Sequence, residues 1–391
     1  MDDLHFDSVL RSDPRPDRGG VRSAYLKPPG AENHASFLHC LPDGALACAW
    51  FSGVREARPD ASIHVARLEP GATSWSAVVR ASDDPERSEQ NPVLTALPDG
   101  RLWLLYTAQE FGAQDTAVVR QQFSDDGGRT WSPAEPFSDE EGMFIRQPVV
   151  LLDDRRWLLP VFYCRALPGR VWHGDADHSA VLLTDDAGTS WRRVDVPASI
   201  GAVHMHVVAM ADGELVAFYR SRWGDHVYRS VSADAGESWT EPVPLEIPNG
   251  NSSIQVCRAE HDGREVLLLA SNPVRGEVGS HLGDREEVED PHKRRAPGEP
   301  QPLTRHSSGA KERLPLTVAV STDRGLTWRH AYTLEDEESI HPSLEHTPGR
   351  KKREFSYPSI VVESGTVHVS YSYARRTIKH VALPLELVMG S

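Results

Sequence analysis

Ser124-Asp-Asp-Gly-Gly-Arg-Thr-Trp131, Thr184-Asp-Asp-Ala-Gly-Thr-Ser-Trp191, Ser232-Ala-Asp-Ala-Gly-Glu-Ser-Trp239 and Ser321-Thr-Asp-Arg-Gly-Leu-Thr-Trp328 share one pattern, Ser/Thr-x-Asp-x-Gly-x-Thr/Ser-Trp. Each reads as a tight turn. The Asp side chain binds backbone N–H groups, the Gly takes a positive φ, and the Trp anchors the end in an apolar layer. Glu69-Pro-Gly-Ala-Thr-Ser-Trp75 is a degraded fifth copy. Four clean copies outside any low-complexity stretch demand a fold built from one repeated unit, and predict that Trp75, Trp131, Trp191, Trp239 and Trp328 are largely buried at equivalent places.

A second repeat runs beside the first. Leu41-Pro-Asp-Gly44, Leu97-Pro-Asp-Gly100, Leu152-Asp-Asp-Arg155, Met210-Ala-Asp-Gly213, Glu260-His-Asp-Gly263 and Val362-Glu-Ser-Gly365 each separate two short apolar runs, the pattern of a β-hairpin. Runs such as Arg101-Leu-Trp-Leu-Leu-Tyr106 and Thr366-Val-His-Val-Ser-Tyr371 are β-branched, apolar or aromatic, and no long window carries a helical period. The first four intervals are about 50–58 residues, close to the length of a four-stranded blade. Six hairpins give six blades, with the hairpin joining the inner strands and the Asp turn joining the outer ones. The sixth blade lacks an Asp turn, so residues 4–10 are expected to supply its outer strand and close the ring. The long fifth interval holds residues 276–312, charged and nearly free of large apolar side chains, which reads as a solvated, mobile insertion or a lid.

Composition narrows the partners. A formal net charge of −15 argues against a nucleic-acid surface or an anionic membrane, although a local arginine pocket can still hold a small anion. The acidic start, Met1-Asp-Asp-Leu-His-Phe-Asp7, has neither the basic opening nor the apolar core of a signal peptide, which points to a cytoplasmic protein. The four cysteines then read as thiols, and no Cys/His spacing suggests a metal; no cofactor is expected.

In a ring of blades, the starts of the inner strands converge on the axis. Seven to eleven residues before the hairpins stand His34; Asn91; Arg146 and Gln147; His204 and His206; Asn251, Ser252 and Ser253; and Ser356 and Tyr357. Polar residues at the heads of six apolar strands suit a sugar pocket better than a core.

The Asp turns resemble the Asp-box of sialidase (neuraminidase)-like BNR-repeat proteins, in particular a broad bacterial branch. That resemblance implies an all-β, six-bladed β-propeller spanning residues 1–391 as a single domain. It also implies roles. Phe355-Ser-Tyr-Pro-Ser-Ile is similar to the segment carrying the family's nucleophilic tyrosine, which falls on Tyr357. Arg220 and Arg313 match two of three carboxylate-binding arginines. Asp60 lies where the family keeps its acid/base aspartate, with Glu56 competing four residues earlier. His34 stands in place of the third arginine, and His204 in place of the glutamate that polarises the tyrosine. Tyr373 and Arg375, after the sixth hairpin, are further candidates to line the pocket.

A tyrosine hydroxyl is a poor nucleophile until a base or nearby cations draw off its proton. His204, Arg220 and Arg313 are suited to that, and Asp60 or Glu56 to protonating a leaving oxygen. The first expectation is an exo-acting glycoside hydrolase on an anionic sugar, a sialoside or a relative. A polysaccharide lyase acting on uronate-containing glycan uses the same residue types, and a non-catalytic glycan-binding propeller is the third reading.

Overall fold

Each Asp-box closes as its residues dictate in the computed structural model, which describes residues 6–13, 19–277, 295–299, 305–341 and 353–390. Asp126 Oδ1 accepts the backbone N–H of Arg129 and of Thr130, both at 2.9 Å, and Ser124 Oγ accepts the N–H of Gly128 at 2.7 Å. Equivalent bonds surround Asp186, Asp234 and Asp323. The box glycines Gly128, Gly188, Gly236 and Gly325 have φ of 92°, 83°, 89° and 77°, a region open to glycine at no steric cost. The tryptophans divide. Trp75 and Trp239 are buried, whereas Trp131, Trp191 and Trp328 are only half-buried, so the expectation of uniform burial is corrected. Trp191 and Trp328 turn their indole N–H back onto the carbonyls of Gly188 and Gly325, bracing the turn itself.

Six antiparallel sheets form a six-bladed β-propeller. From axis to rim, blade one is Glu32–Cys40, Leu46–Gly53, Ser62–Leu68 and Val79–Arg80; blade two is Ser88–Ala96, Leu102–Gln109, Val118–Ser124 and Glu135–Ser138. Blade three begins with a broken strand, Met143–Phe144 and Val150–Leu151, followed by Trp157–Tyr163, His178–Thr184 and Arg192–Asp195. Blade four is Ala202–Ala209, Leu215–Ser221, His226–Ser232 and Val243–Pro248; blade five is Gln255–His261, Arg264–Ser271, Leu316–Ser321 and Arg329–Glu335. Blade six is Phe355–Glu363, Thr366–Tyr373 and Thr377–Pro384, completed from the other end of the chain. The completing strand is Arg22–Tyr25, with Arg11–Ser12 beyond it, rather than residues 4–10. Of those earlier residues, Val9 instead bridges Ser74 in blade one, and residues 4 and 5 lie outside the described residues.

Four of the six inner strands share a defect that positions the site. Their pairing slips by one residue between His34 and Phe37, Gln90 and Val93, Val203 and His206, and Ser356 and Ser359. Each slip holds one left-handed residue: Ala35 at φ 55°, Asn91 at 49°, His204 at 54° and Tyr357 at 54°. Asn251, just ahead of blade five's inner strand, has φ 57°. Bulges re-aim side chains and interrupt the ladder, and non-glycine residues in this region cost of order 1–3 kcal/mol each. Here they fall on the residues that head the apolar strands.

Candidate functional site

Tyr357 is the hub. Its hydroxyl accepts a hydrogen bond from Arg220 Nη1 at 2.7 Å. Arg220 sits at the end of blade four's second strand, paired with Val203 beside the His204 bulge. Its Nε donates to Asn251 Oδ1 at 2.7 Å, and Nη1 also approaches His204 Nε2 at 3.4 Å. Three guanidinium groups surround the tyrosine ring, with Arg146, Arg220 and Arg313 centred 5.5, 5.6 and 5.5 Å from its centroid. The His34 ring packs on it at 4.2 Å and its Nδ1 meets Ser372 Oγ at 2.7 Å.

The charges set the proton affinities. Burial alone raises the Tyr357 phenol, but Arg220 and Arg313 outweigh it, and the net shift is downward. Burial, reinforced by Arg220, Arg222, Arg146 and Arg313, holds His204 well below the usual imidazole range. His204 is therefore neutral at neutral pH and a weak proton acceptor. Its ring lies 5.9 Å from that of Tyr357, with Nδ1 on Ser253 Oγ at 3.1 Å and one face stacked on Phe162. The arginines, and not the histidine, draw the phenol's proton affinity down.

Arg146 is fully buried in the gap of blade three's broken strand. It donates to the carbonyls of Ser36, Tyr357 and Pro358 at 3.0–3.3 Å, so it ties the inner strands of blades one and six to blade three. Burial lowers it to about 10, still protonated at neutral pH. Gln147 lies deeper, donating to Ile254 O at 2.7 Å and meeting His206 Nδ1 at 2.8 Å; both belong to an axial polar network. Asn91 is buried in the blade-two bulge, and no hydrogen bond links it to the Tyr357 group among the described residues.

A chain of charges extends to the rim. Arg313 Nη1 donates to Glu354 Oε1 at 2.9 Å, and Arg375 Nε to Glu354 Oε2 at 3.0 Å. The other end of Arg375 is paired with Glu56, whose charge in turn is felt by Tyr357. Ala374 and Arg375 both have positive φ, 48° and 57°, in the tight turn closed by Arg376 N–H to Tyr373 O. That turn usually takes Asn-Gly; here the backbone accepts strain to present an arginine. Asp60 is placed differently. It is exposed, accepts the N–H of Val54, and has no hydrogen bond or ion pair to the Tyr357 group among the described residues. Tyr373 packs against Phe355 and Tyr25 and donates to Ser339 O, so it braces blade six instead of lining the pocket.

Three members escaped the sequence reading. Glu354 lies three residues before Tyr357. Arg222 lies two residues after Arg220, just past the end of the strand Leu215–Ser221. Asp177, fully buried, accepts Arg222 Nη2 at 2.7 Å. Burial-demanding ion pairs of this sort leave no local motif.

The profile of the BNR repeat-like domain family matches residues 44–369. No curated protein sequence matches the chain. Among solved structures, the Hadza microbial sialidase Hz136 is similar at 15% identity and a TM-score of 0.67, over 92% of this chain and 67% of that one. A protein of unknown function from Dyadobacter fermentans is similar at 16% and 0.66, over 94% and 99% of the two chains. The NanB sialidase of Streptococcus pneumoniae is similar at 10% and 0.65, over 99% and 72%. At these identities the likeness is one of fold. The matched profile covers most of the chain, and the chain belongs to the BNR repeat-like domain family, with a sialidase-like fold.

Proposed function

We propose that this protein is an exo-acting glycoside hydrolase on an anionic sugar, a sialoside or a close relative, that works through a tyrosine nucleophile. The carrying observation is the Arg220–Tyr357 hydrogen bond inside a cage of three guanidinium groups. Arg146 and Arg220 have no carboxylate partner among the described residues, so the pocket floor holds positive charge without a matching protein anion. A substrate carboxylate on Arg220 and Arg313 supplies it.

In the first step the Tyr357 phenolate attacks the anomeric carbon, the glycosidic bond breaks, and the leaving oxygen takes a proton from the Glu56 carboxylic acid. Water then attacks the glycosyl-tyrosine, gives a proton to Glu56, and frees the phenolate. Glu56 is preferred to Asp60 because its charge reaches Tyr357 and Asp60 faces solvent. The test is a panel of aryl glycosides: sialosides, uronides and neutral sugars. Release of the aryl group from an anionic member, with a saturated sugar as the other product, supports the reading. An unsaturated product marks a lyase instead, and binding without turnover marks a glycan-binding propeller.

A further inference from the structure

A cleft lies on the seam between blades one and two. One wall is residues 80–85, which lead from blade one's outer strand to blade two's inner strand. The other is blade two itself, with residues 131–134 leading from its Asp-box to its outer strand. The cleft holds about 730 Å³, within the ~300–1,000 Å³ of small-molecule sites. None of the residues around Tyr357 lines it.

Gln122, 3% exposed, spans the seam. Its Nε2 donates to Ala81 O at 2.8 Å and to Ser132 O at 2.6 Å. Two carbonyl partners fix which end of the amide is which. They leave Oε1, which has no hydrogen-bond partner among the described residues. Trp131 Nε1 and the hydroxyl of the buried Tyr106 are also without one. All three residues line the cleft. A buried polar atom left unpaired costs about 1–3 kcal/mol. Beside one cleft stand an acceptor, a donor and a hydroxyl that can be either.

The charges on the lining favour an uncharged ligand. Arg80 is paired with Asp83, and Arg120 with Asp139 at 2.8 Å. Asp84 and Glu89 add negative charge, which opposes an anion. This is the reverse of the arginine cage at Tyr357. A sugar hydroxyl both donates and accepts, so it suits the three unpaired groups, and the half-buried Trp131 ring offers apolar surface to the C–H face of a pyranose.

We infer that the cleft between blades one and two is a second binding site, for a neutral sugar whose hydroxyl groups pair with Tyr106, Gln122 and Trp131. Binding there is independent of turnover at Tyr357.

The experiment is calorimetric titration of the full chain with lactose, cellobiose, maltose and chitobiose at up to ~10 mM. At least one should bind. Tyr106→Phe should raise its Kd roughly 3–10-fold with the melting temperature unchanged, since the hydroxyl removed has no partner. Ala134→Trp, at an exposed residue of the lining, should abolish binding by filling the cleft. Arg220→Ala, in the tyrosine site, should leave the Kd of the neutral sugar as it was. The inference is overturned if no disaccharide binds, if Tyr106→Phe and Ala134→Trp both leave binding intact, or if Arg220→Ala removes it. Tighter binding of a uronic or sialic acid through the same cleft residues overturns it as well.

Discussion

Arg220 Nη1 and Tyr357 Oη lie 2.7 Å apart although 137 residues separate them in the chain. The bond brings a second-strand end in blade four against an inner-strand bulge in blade six. In the proposed mechanism it couples substrate charge to nucleophile chemistry, because the arginine that would hold a carboxylate is one that lowers the phenol's proton affinity.

Tyr357→Phe removes one oxygen and no packing volume. The variant should melt as the parent does, judged by circular dichroism, while kcat falls at least ~10³-fold on any responsive aryl glycoside. Full retention of kcat ends the tyrosine mechanism.

Arg220→Ala should move the pH profile. Tyr357 must lose its proton to attack, so activity rises with pH through the phenol's titration. Arg220 draws that titration downward, and removing it shifts the rising limb of kcat/KM to higher pH. Anionic substrates should also weaken more than neutral ones.

Glu56→Gln should lower kcat by about 10²–10⁴-fold, and least for substrates with a good leaving group that needs no protonation. Asp60→Asn should do little, since its carboxylate serves the Val54 N–H at the surface. The reverse ranking, read from parallel steady-state kinetics, would restore Asp60 as the acid.

The Asp-box carboxylates should make the propeller acid-sensitive in a defined window. Asp186 and Asp234 are held at about 2, chiefly by the hydroxyls of Ser190 and Ser238. Their folded values lie below the unfolded ones. Their contribution is therefore complete above about pH 4 and lost as pH falls through about 2. Asp186→Asn should flatten the fall in melting temperature over that range.

Gly325→Ala should destabilise by about 2–4 kcal/mol, since its Cβ would lie 2.3 Å from Phe218 Cζ at a φ of 77°. Gly213→Ala, at a φ of 90° with open space around it, should cost only the backbone share, about 1–2 kcal/mol. Urea titration of the pair separates sterics from conformation.

The fold was legible because its turns are local. Asp126 binds atoms within four residues, so the motif can be read without a partner. The heads of the inner strands were legible too, since polar residues such as Asn91, His204 and Tyr357 interrupt an apolar run where the bulge falls. Local reading failed where a contact is long-range. Nothing near Glu354 reveals that it will bridge Arg313 and Arg375, and nothing near Asp60 reveals that Glu56 will reach inward instead. The closing strand was misplaced for the same reason: Arg22–Tyr25 is chosen by the open edge of Thr377–Pro384 at the far end of the chain.

That closure governs when the sixth blade can be completed during synthesis. Arg22 is made long before Ala382, its partner, so Arg22–Tyr25 has no edge to join until Thr377–Pro384 has been made. Blades one to five can assemble as they leave the ribosome, but the sheet carrying Tyr357 has an unpaired edge until the final strand emerges. A truncated product would hold most of the arginines without the tyrosine they surround. A chain that stops short of Thr377–Pro384 should therefore leave the edge of Thr366–Tyr373 open and be prone to pairing through it.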